Sequence, residues 1–324
     1  MCTCINFKTK DYYFGRNLDL EYRFYEKVVI TPRNYEIRLK SEKAFKTKYG
    51  IIGMATVINN YPLYADASNE KGLSVAALNF PDNAHYKNVE EGKINIASYE
   101  LILWILGNFA NIEELKKVIN NINLINIPFK EDIQLTPLHW MISYKDETIV
   151  LEQTKEGLKI YDNSIGVLTN NPEFSFHLTN INNYLNLTPD VPQNRFSDEI
   201  ALKIYGKGMG AIGLPGDNSS TSRFIRAAFN KTNSVCDEDE ESSVTQFFHI
   251  LDSVGVVRGT NVNANSIYDV TTYSCCINTK KGIYYYKTYT NNQITAIKMN
   301  ESNMDSKQLT IYELIEKQQI NYIK

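Results

Sequence analysis

The sequence predicts an α+β fold in which two antiparallel sheets pack face to face and are covered by helices. Three observations carry this expectation. Apolar, β-branched runs come in groups joined by short polar turns, the texture of antiparallel hairpins. Helical spacing of apolar residues is concentrated between those groups, which suits helices laid over the outer faces. No linker-like stretch and no repeat of about 20–50 residues interrupts the chain, so residues 1–324 are expected to form one domain.

In chain order, residues 2–7 and 12–15 read as a hairpin turning through residues 8–11. Ile51–Ile58 is a β-branched run, and residues 73–78 form a strand after the turn Asn69-Glu70-Lys71-Gly72. Apolar residues at three- and four-residue spacing predict helices over 96–109 and 112–120. Residues 148–154, 158–161 and 165–169 are strands separated by Lys155-Glu156-Gly157 and Asp162-Asn163-Ser164. Helical spacing returns over 198–205, 222–230 and 243–254, with Ser219, Ser220 and Thr221 as caps for the second of these. The acidic run from Asp237 to Glu241 reads as a solvated loop. Residues 271–278, 283–289 and 293–299 close the chain as a further meander.

Composition narrows the function. A net charge of −3 argues against general affinity for nucleic acid. No apolar run reaches the roughly 18 residues of a membrane span, so membrane insertion is not expected. Lys8, Lys10 and Asp11 follow the chain start without an apolar targeting segment, and five cysteines are an odd number for a disulfide framework. A cytoplasmic location with reduced thiols follows. Cys2-x-Cys4 and Cys275-Cys276 lack the spacing of a structural zinc site, and His85, His139, His177 and His249 are scattered. Neither metal nor organic cofactor is expected. His139 lies in an apolar strand, residues 137–142, and reads as a structural residue.

Chemistry is suggested by Cys2. Removal of the initiator methionine ahead of a small residue would give a residue carrying both a thiol and a free α-amine. Such amines have a reference pKa of about 7.7–8.0, so a useful fraction is free base at neutral pH. One residue then supplies nucleophile and general base. Cys4, two positions along the same strand, faces the same side, either as a packed neighbour of the nucleophile or as a small buried residue.

A nucleophile needs oxyanion donors and supporting charges. The hairpin brings Arg16 and Asp19 near the chain start, where a surface ion pair is the other reading. Asn79 and Asn170 end strands and serve equally as turn residues. Arg223 stands in the first turn of a helix, where the dipole prefers anions, and is the least ordinary of the set.

Nine blocks, in order, resemble the choloylglycine hydrolases, the N-terminal nucleophile family that includes bile salt hydrolases and penicillin V acylases. They are Met1-Cys2-Thr3, Phe14-Gly15-Arg16-Asn17-Leu18-Asp19, Asn69-Glu70-Lys71-Gly72-Leu73, Leu78-Asn79-Phe80, Leu138-His139-Trp140, Gly166-Val167-Leu168-Thr169-Asn170-Asn171-Pro172, Gly213-Leu214-Pro215-Gly216-Asp217, Ser222-Arg223-Phe224 and Lys281-Gly282-Ile283-Tyr284-Tyr285-Tyr286. The resemblance implies a four-layer αββα sandwich, with two antiparallel sheets covered by helices. It implies Cys2 as nucleophile, Arg16 and Asp19 as the pair holding thiol and amine, and Asn170 as a side-chain oxyanion donor. Arg223 resembles the charge supporting the nucleophile, and Asn79 the second oxyanion contributor. Arg16 and Asn79 also fall at substrate contacts, and Leu18, Ile58, Ala65, Phe129, Ile133 and Leu138 at loops that would line an apolar pocket.

The implied reaction is cleavage of the C-24 amide of conjugated bile acids such as taurocholate and glycocholate, through a Cys2 thioester, by a homotetramer acting in lipid metabolism. Asn79 favours this substrate, because penicillin V acylases often carry Tyr there. A penicillin V acylase or broader N-acyl amide hydrolase is the alternative within enzymes. A catalytically silent bile-acid or lipid binder is the alternative outside them. Two residues depart from the family pattern: Cys4, where Gly or Ala is common, and Phe129, where an aliphatic residue occurs.

Overall fold

The structure is a computed structural model that describes residues 1–263 and 265–323. Strands β1 (Cys2–Lys8) and β2 (Tyr12–Leu20) form the expected hairpin, which runs five residues further than its pattern suggested. β3 (Lys27–Thr31) follows, then a small ribbon of β4 (Glu36–Ile37) and β5 (Phe45–Lys46). β6 (Ile51–Ile58), β7 (Tyr61–Asn69) and β8 (Ser74–Asn79) make an antiparallel meander.

β9 (Ile94–Ala97) pairs in parallel with β10 (Ile122–Ile125), and helices α1 (Leu101–Asn108) and α2 (Ile112–Lys116) lie between them. β11 (Leu138–Tyr144), β12 (Glu147–Thr154), β13 (Gly157–Asp162) and β14 (Val167–Leu168) precede α3 (Phe174–Asn180). Helices α4 (Ser220–Asn233) and α5 (Glu240–Asp252) lead to the last meander, β15 (Val270–Asn278), β16 (Ile283–Thr288) and β17 (Asn291–Lys298), with β18 (Thr310–Tyr312) at the end.

The strands assort into one sheet in the order β14-β1-β2-β15-β16-β17 and another in the order β13-β12-β11-β8-β7-β6-β3-β18. Two cores explain the layering. Ile5, Phe14 and Cys275 of the first sheet share a core with Met54, Leu78 and Met141 of the second, and with Phe224 and Phe247 of α4 and α5. Val29, Val75 and Ile142 on the second sheet's other face pack with Leu101, Ile105 and Leu106 of α1. The result is α4/α5, sheet, sheet, α1: the expected αββα sandwich. Residues 101–107 of α1 are all buried, and each such Leu or Ile stabilises the fold by about 1.5–3 kcal/mol.

The structure corrects three expectations. Residues 198–205 form no helix; Leu202 and Tyr205 are exposed, so their apolar spacing has no core to dock on. The periodic stretch 96–109 is split, its start completing β9 and only Leu101–Asn108 being helical. The acidic run is an exposed loop only over residues 237–239, and Glu240 and Glu241 begin α5. Asp239 accepts the Ser242 N–H as the N-cap of α5, and Glu240 receives Asn278, Lys281 and Tyr285. Negative charge there suits the helix N-terminus. Among the described residues no helix is long and apolar enough to cross a membrane.

Candidate active site

Cys2 opens β1 opposite Leu18 of β2, and it is only 2% exposed. Its position depends on Gly15: a Cβ there would lie 2.0 Å from the Cys275 carbonyl oxygen, so only glycine lets β2 run against β15. The next residues of β2, Arg16 and Asp19, are fully buried and are not a surface pair.

Asn170 gathers the site. Its Oδ1 accepts the Cys2 main-chain N–H at 2.7 Å and Arg223 Nη2 at 2.8 Å. Its Nδ2 donates to the Asn79 carbonyl at 2.6 Å, and its own N–H donates to Ser220 Oγ at 2.7 Å. An amide nitrogen carries two protons, so one of the Asn170 Nδ2 protons is free for another acceptor.

Arg223 is fully buried after the Ser219 cap of α4. Its Nε donates to the Asn218 carbonyl at 3.0 Å, and Nη1 donates to Thr3 Oγ1 at 2.8 Å and to the Cys2 carbonyl. Burial lowers its pKa, with the charges of Asp19 and Cys2 opposing the shift. The awkward Arg of the first turn is thus explained: its guanidinium turns away from the dipole onto β1 and Asn170.

Asp19 exchanges main-chain hydrogen bonds with Met1: its N–H donates to the Met1 carbonyl at 2.9 Å, and its carbonyl accepts the Met1 amine at 2.6 Å. Its Oδ1 accepts Thr271 Oγ1 at 2.6 Å, and Oδ2 is buried without a partner. Burial pushes the carboxyl upward, opposed by Arg223, the terminal amine, Thr271 and Arg16.

Arg16 sends Nη1 to the carbonyls of Ala65, at 3.2 Å, and Ala77. Ala65 is the extra residue of a bulge, because Asp66 pairs with Met54 while Tyr64 pairs with Ala55. The bulge turns the Ala65 carbonyl out of the ladder toward Arg16.

The remaining expected residues divide. Leu18 pairs with Cys2 and Leu138 pairs with Asn79, so both touch the strands that carry the site. Ile58 pairs with Tyr61, whose ring centroid lies 5.5 Å from that of Phe129, and Phe129 also meets Tyr99 at 5.4 Å. Ile133 is exposed, and its described bond is to Lys130 in its own loop. A cavity of about 630 Å³ lies beside Met1, lined by Asn218, Ser219, Val257, Thr260 and Asn261 among others. None of the six expected apolar residues lines it.

Cys4 is fully buried, and burial raises its pKa well beyond the ordinary thiol range. It stays protonated and acts as a small packing residue. His139 bridges Glu152 at 2.9 Å and the Thr169 carbonyl at 2.9 Å, and its ring stacks on Phe80 at 4.2 Å. It supports the strand before Asn170 from outside the chemistry, as expected. Sequence reading missed Thr271, Ser220 and Thr3 as partners of the site. Thr3 stood within a quoted block and Ser220 among the candidate caps, whereas nothing local marks Thr271, 252 residues from Asp19.

The chain matches known proteins over nearly its whole length. A family model for linear amide C–N hydrolases, choloylglycine hydrolase family, matches residues 2–312. The bile salt hydrolase/transferase of Lactiplantibacillus plantarum is 48% identical over 314 residues, 97% of each chain. That of Clostridium perfringens is 44% identical over 329 residues, the full length of both. A solved mutant of conjugated bile acid hydrolase from Clostridium perfringens matches with a TM-score of 0.93 at 43% identity, covering 100% of both chains. Penicillin V acylase from Agrobacterium tumefaciens, 17% identical and covering 96% of this chain and 91% of its own, shares the fold with a TM-score of 0.75. By its sequence blocks, its sandwich and these matches, the chain belongs to the choloylglycine hydrolase family of linear amide C–N hydrolases.

Proposed function

We propose that this chain is a bile salt hydrolase whose nucleophile is Cys2, freed by removal of Met1. The observation that carries the reading is the convergence of Asn170, Arg223 and Asp19 on the first residues of β1. The relatives' names, bile salt hydrolase/transferase, supply the substrate class.

With Met1 gone, the Cys2 nitrogen held by Asn170 becomes the α-amine. It takes the thiol proton, and the sulfur attacks the amide carbonyl of the conjugate. The second Asn170 Nδ2 proton and the Asn79 N–H hold the oxyanion, a type of contact worth about 100- to 1000-fold in rate. The S–C bond forms, the C–N bond breaks, and the ammonium returns its proton to the departing glycine or taurine. Water, activated by the same amine, then cleaves the thioester. Arg16, Asp19 and Arg223 supply the charge environment and act through positioning.

Leu18, Ile58, Ala65, Phe129, Ile133 and Leu138 receive the steroid in this reading. A thioester is also open to amines, so transfer of the acyl group to an amino acid accompanies hydrolysis. The relatives' double name favours this second outcome. The chain acts in the cytoplasm as a homotetramer, and exposed Leu185, Val191, Phe196 and Tyr205 are the candidate contact surface.

The test is a panel of taurocholate, glycocholate and phenoxymethylpenicillin with intact and Cys2→Ala protein, scored by amine release. Turnover of the two conjugates by the intact protein only is the expected result. Preferential turnover of the penicillin would favour the acylase reading, and unaltered release by Cys2→Ala would refute the mechanism.

A further inference from the structure

Asp66 is fully buried between the sheets, outside the set of residues assigned above. Its Oδ2 accepts Tyr273 Oη at 2.5 Å, and its Oδ1 accepts Tyr284 Oη at 2.7 Å and Cys275 Sγ at 3.3 Å. Three donors from the opposite sheet thus converge on this one buried carboxyl group. Among the described residues neither Asp66 nor Arg16 makes a salt bridge, although both are fully buried. They are linked instead through the bulge, since Arg16 Nη1 donates to Ala65, the residue before Asp66. Among the described residues Arg16 Nη2 has no hydrogen-bond partner.

We propose that Asp66, held by Tyr273 and Tyr284, is a positioning residue that balances the charge of Arg16 behind Cys2. The inference rests on Cys2 being the nucleophile. Around Cys2 the interior then holds the guanidinium groups of Arg16 and Arg223 and the carboxyl groups of Asp19 and Asp66. This balance lets Cys2 exchange its proton with its own amine instead of resting as a fixed partner of Arg16. The titratable groups around the pair are Cys2 and Cys4 on β1, Asp19 on β2, Tyr273 and Cys275 on β15, and Tyr284 on β16; Met54 and Ala76, which flank Asp66 on β6 and β8, carry none. Burial tends to lower the Arg16 pKa, and nearby Cys2, Tyr273, Asp66 and Cys4 outweigh it, raising the value overall.

The experiment compares wild type, Asp66→Asn, Asp66→Glu, Tyr273→Phe and Tyr284→Phe. The readouts are the rate of Cys2 alkylation by iodoacetamide at pH 6.5, followed by mass spectrometry, and kcat and KM on taurocholate. Asp66→Asn is expected to speed alkylation about tenfold, the effect of about 1.4 kcal/mol between charge states, while kcat falls about tenfold and KM stays within about twofold. Asp66→Glu restores both toward wild type. The Tyr→Phe variants shift both readouts in the same direction by about threefold, which keeps the test open if Asp66→Asn does not fold. Alkylation that is unchanged or slower in Asp66→Asn, or in both Tyr→Phe variants, overturns the proposal. Alkylation is read without substrate, so a wild type inactive on taurocholate would refute the substrate assignment and leave this measurement standing.

Discussion

Asn170 Oδ1 accepts the main-chain N–H of Cys2 at 2.7 Å, joining positions 168 residues apart in the chain. The same oxygen accepts Arg223, so the nitrogen of the candidate nucleophile and a buried cation share one acceptor. This bond fixes where an α-amine would sit and which way it would point.

Asn170→Ala removes that acceptor and a donor for the oxyanion together. We expect kcat on taurocholate to fall by about 100- to 1000-fold, with a smaller change in KM. Steady-state kinetics beside the parent chain checks it.

Cys2→Ala deletes one sulfur from a packed strand and should leave the fold intact by circular dichroism while abolishing taurine release. Protein purified with Met1 still attached should also be inactive, because the Cys2 nitrogen is then an amide. Intact-mass spectrometry paired with activity on the same fractions distinguishes the two forms.

Arg223→Lys keeps a charge but cannot span Asn218, Cys2, Thr3 and Asn170. Acceptors left unpaired in the interior should cost about 2–4 kcal/mol, measurable by urea unfolding. Activity should fall at least about tenfold.

His177 is buried, donates to the Asn170 carbonyl at 3.1 Å and stacks on Phe224. Burial is the main cause of its pKa falling from 6.5 to about 4. The unfolded chain therefore binds a proton near 6.5 that the folded chain refuses until about 4. Between those values the unfolded state holds more protons, so stability rises with pH. This contribution is complete above 6.5 and is lost as pH falls toward 4, by about 3 kcal/mol at most. His177→Gln should flatten the pH dependence of the melting temperature across that window.

Phe196→Asp combined with Tyr205→Asp places charges on the exposed apolar segment. If that segment joins subunits, size-exclusion chromatography with light scattering should show a shift from tetramer to smaller species. An unchanged mass would remove the segment from the interface.

The hairpin of β1 and β2, the meanders and the Ser219 cap were legible because alternation, turn chemistry and capping act over a few residues. The blocks around Cys2, Asn79, Asn170 and Arg223 were legible as an ordered set, although each alone had an ordinary explanation. Residues 198–205 misled for the complementary reason: apolar spacing makes a helix only where a neighbouring layer accepts its face, and none does here.

Local chemistry along the chain decided which segments become strands, where α4 starts and that a thiol stands at the head of β1. Folding decided the rest: that Arg16 and Asp19 are interior ions, that Thr271 reaches Asp19, and that Asp66 lies among tyrosines of the opposite sheet. Those relations depend on the register of strands hundreds of residues apart and on a single-residue bulge at Ala65. A shift of one residue turns a strand's side chains to the other face, so such meetings are set by sheet pairing and have no signature within any one segment.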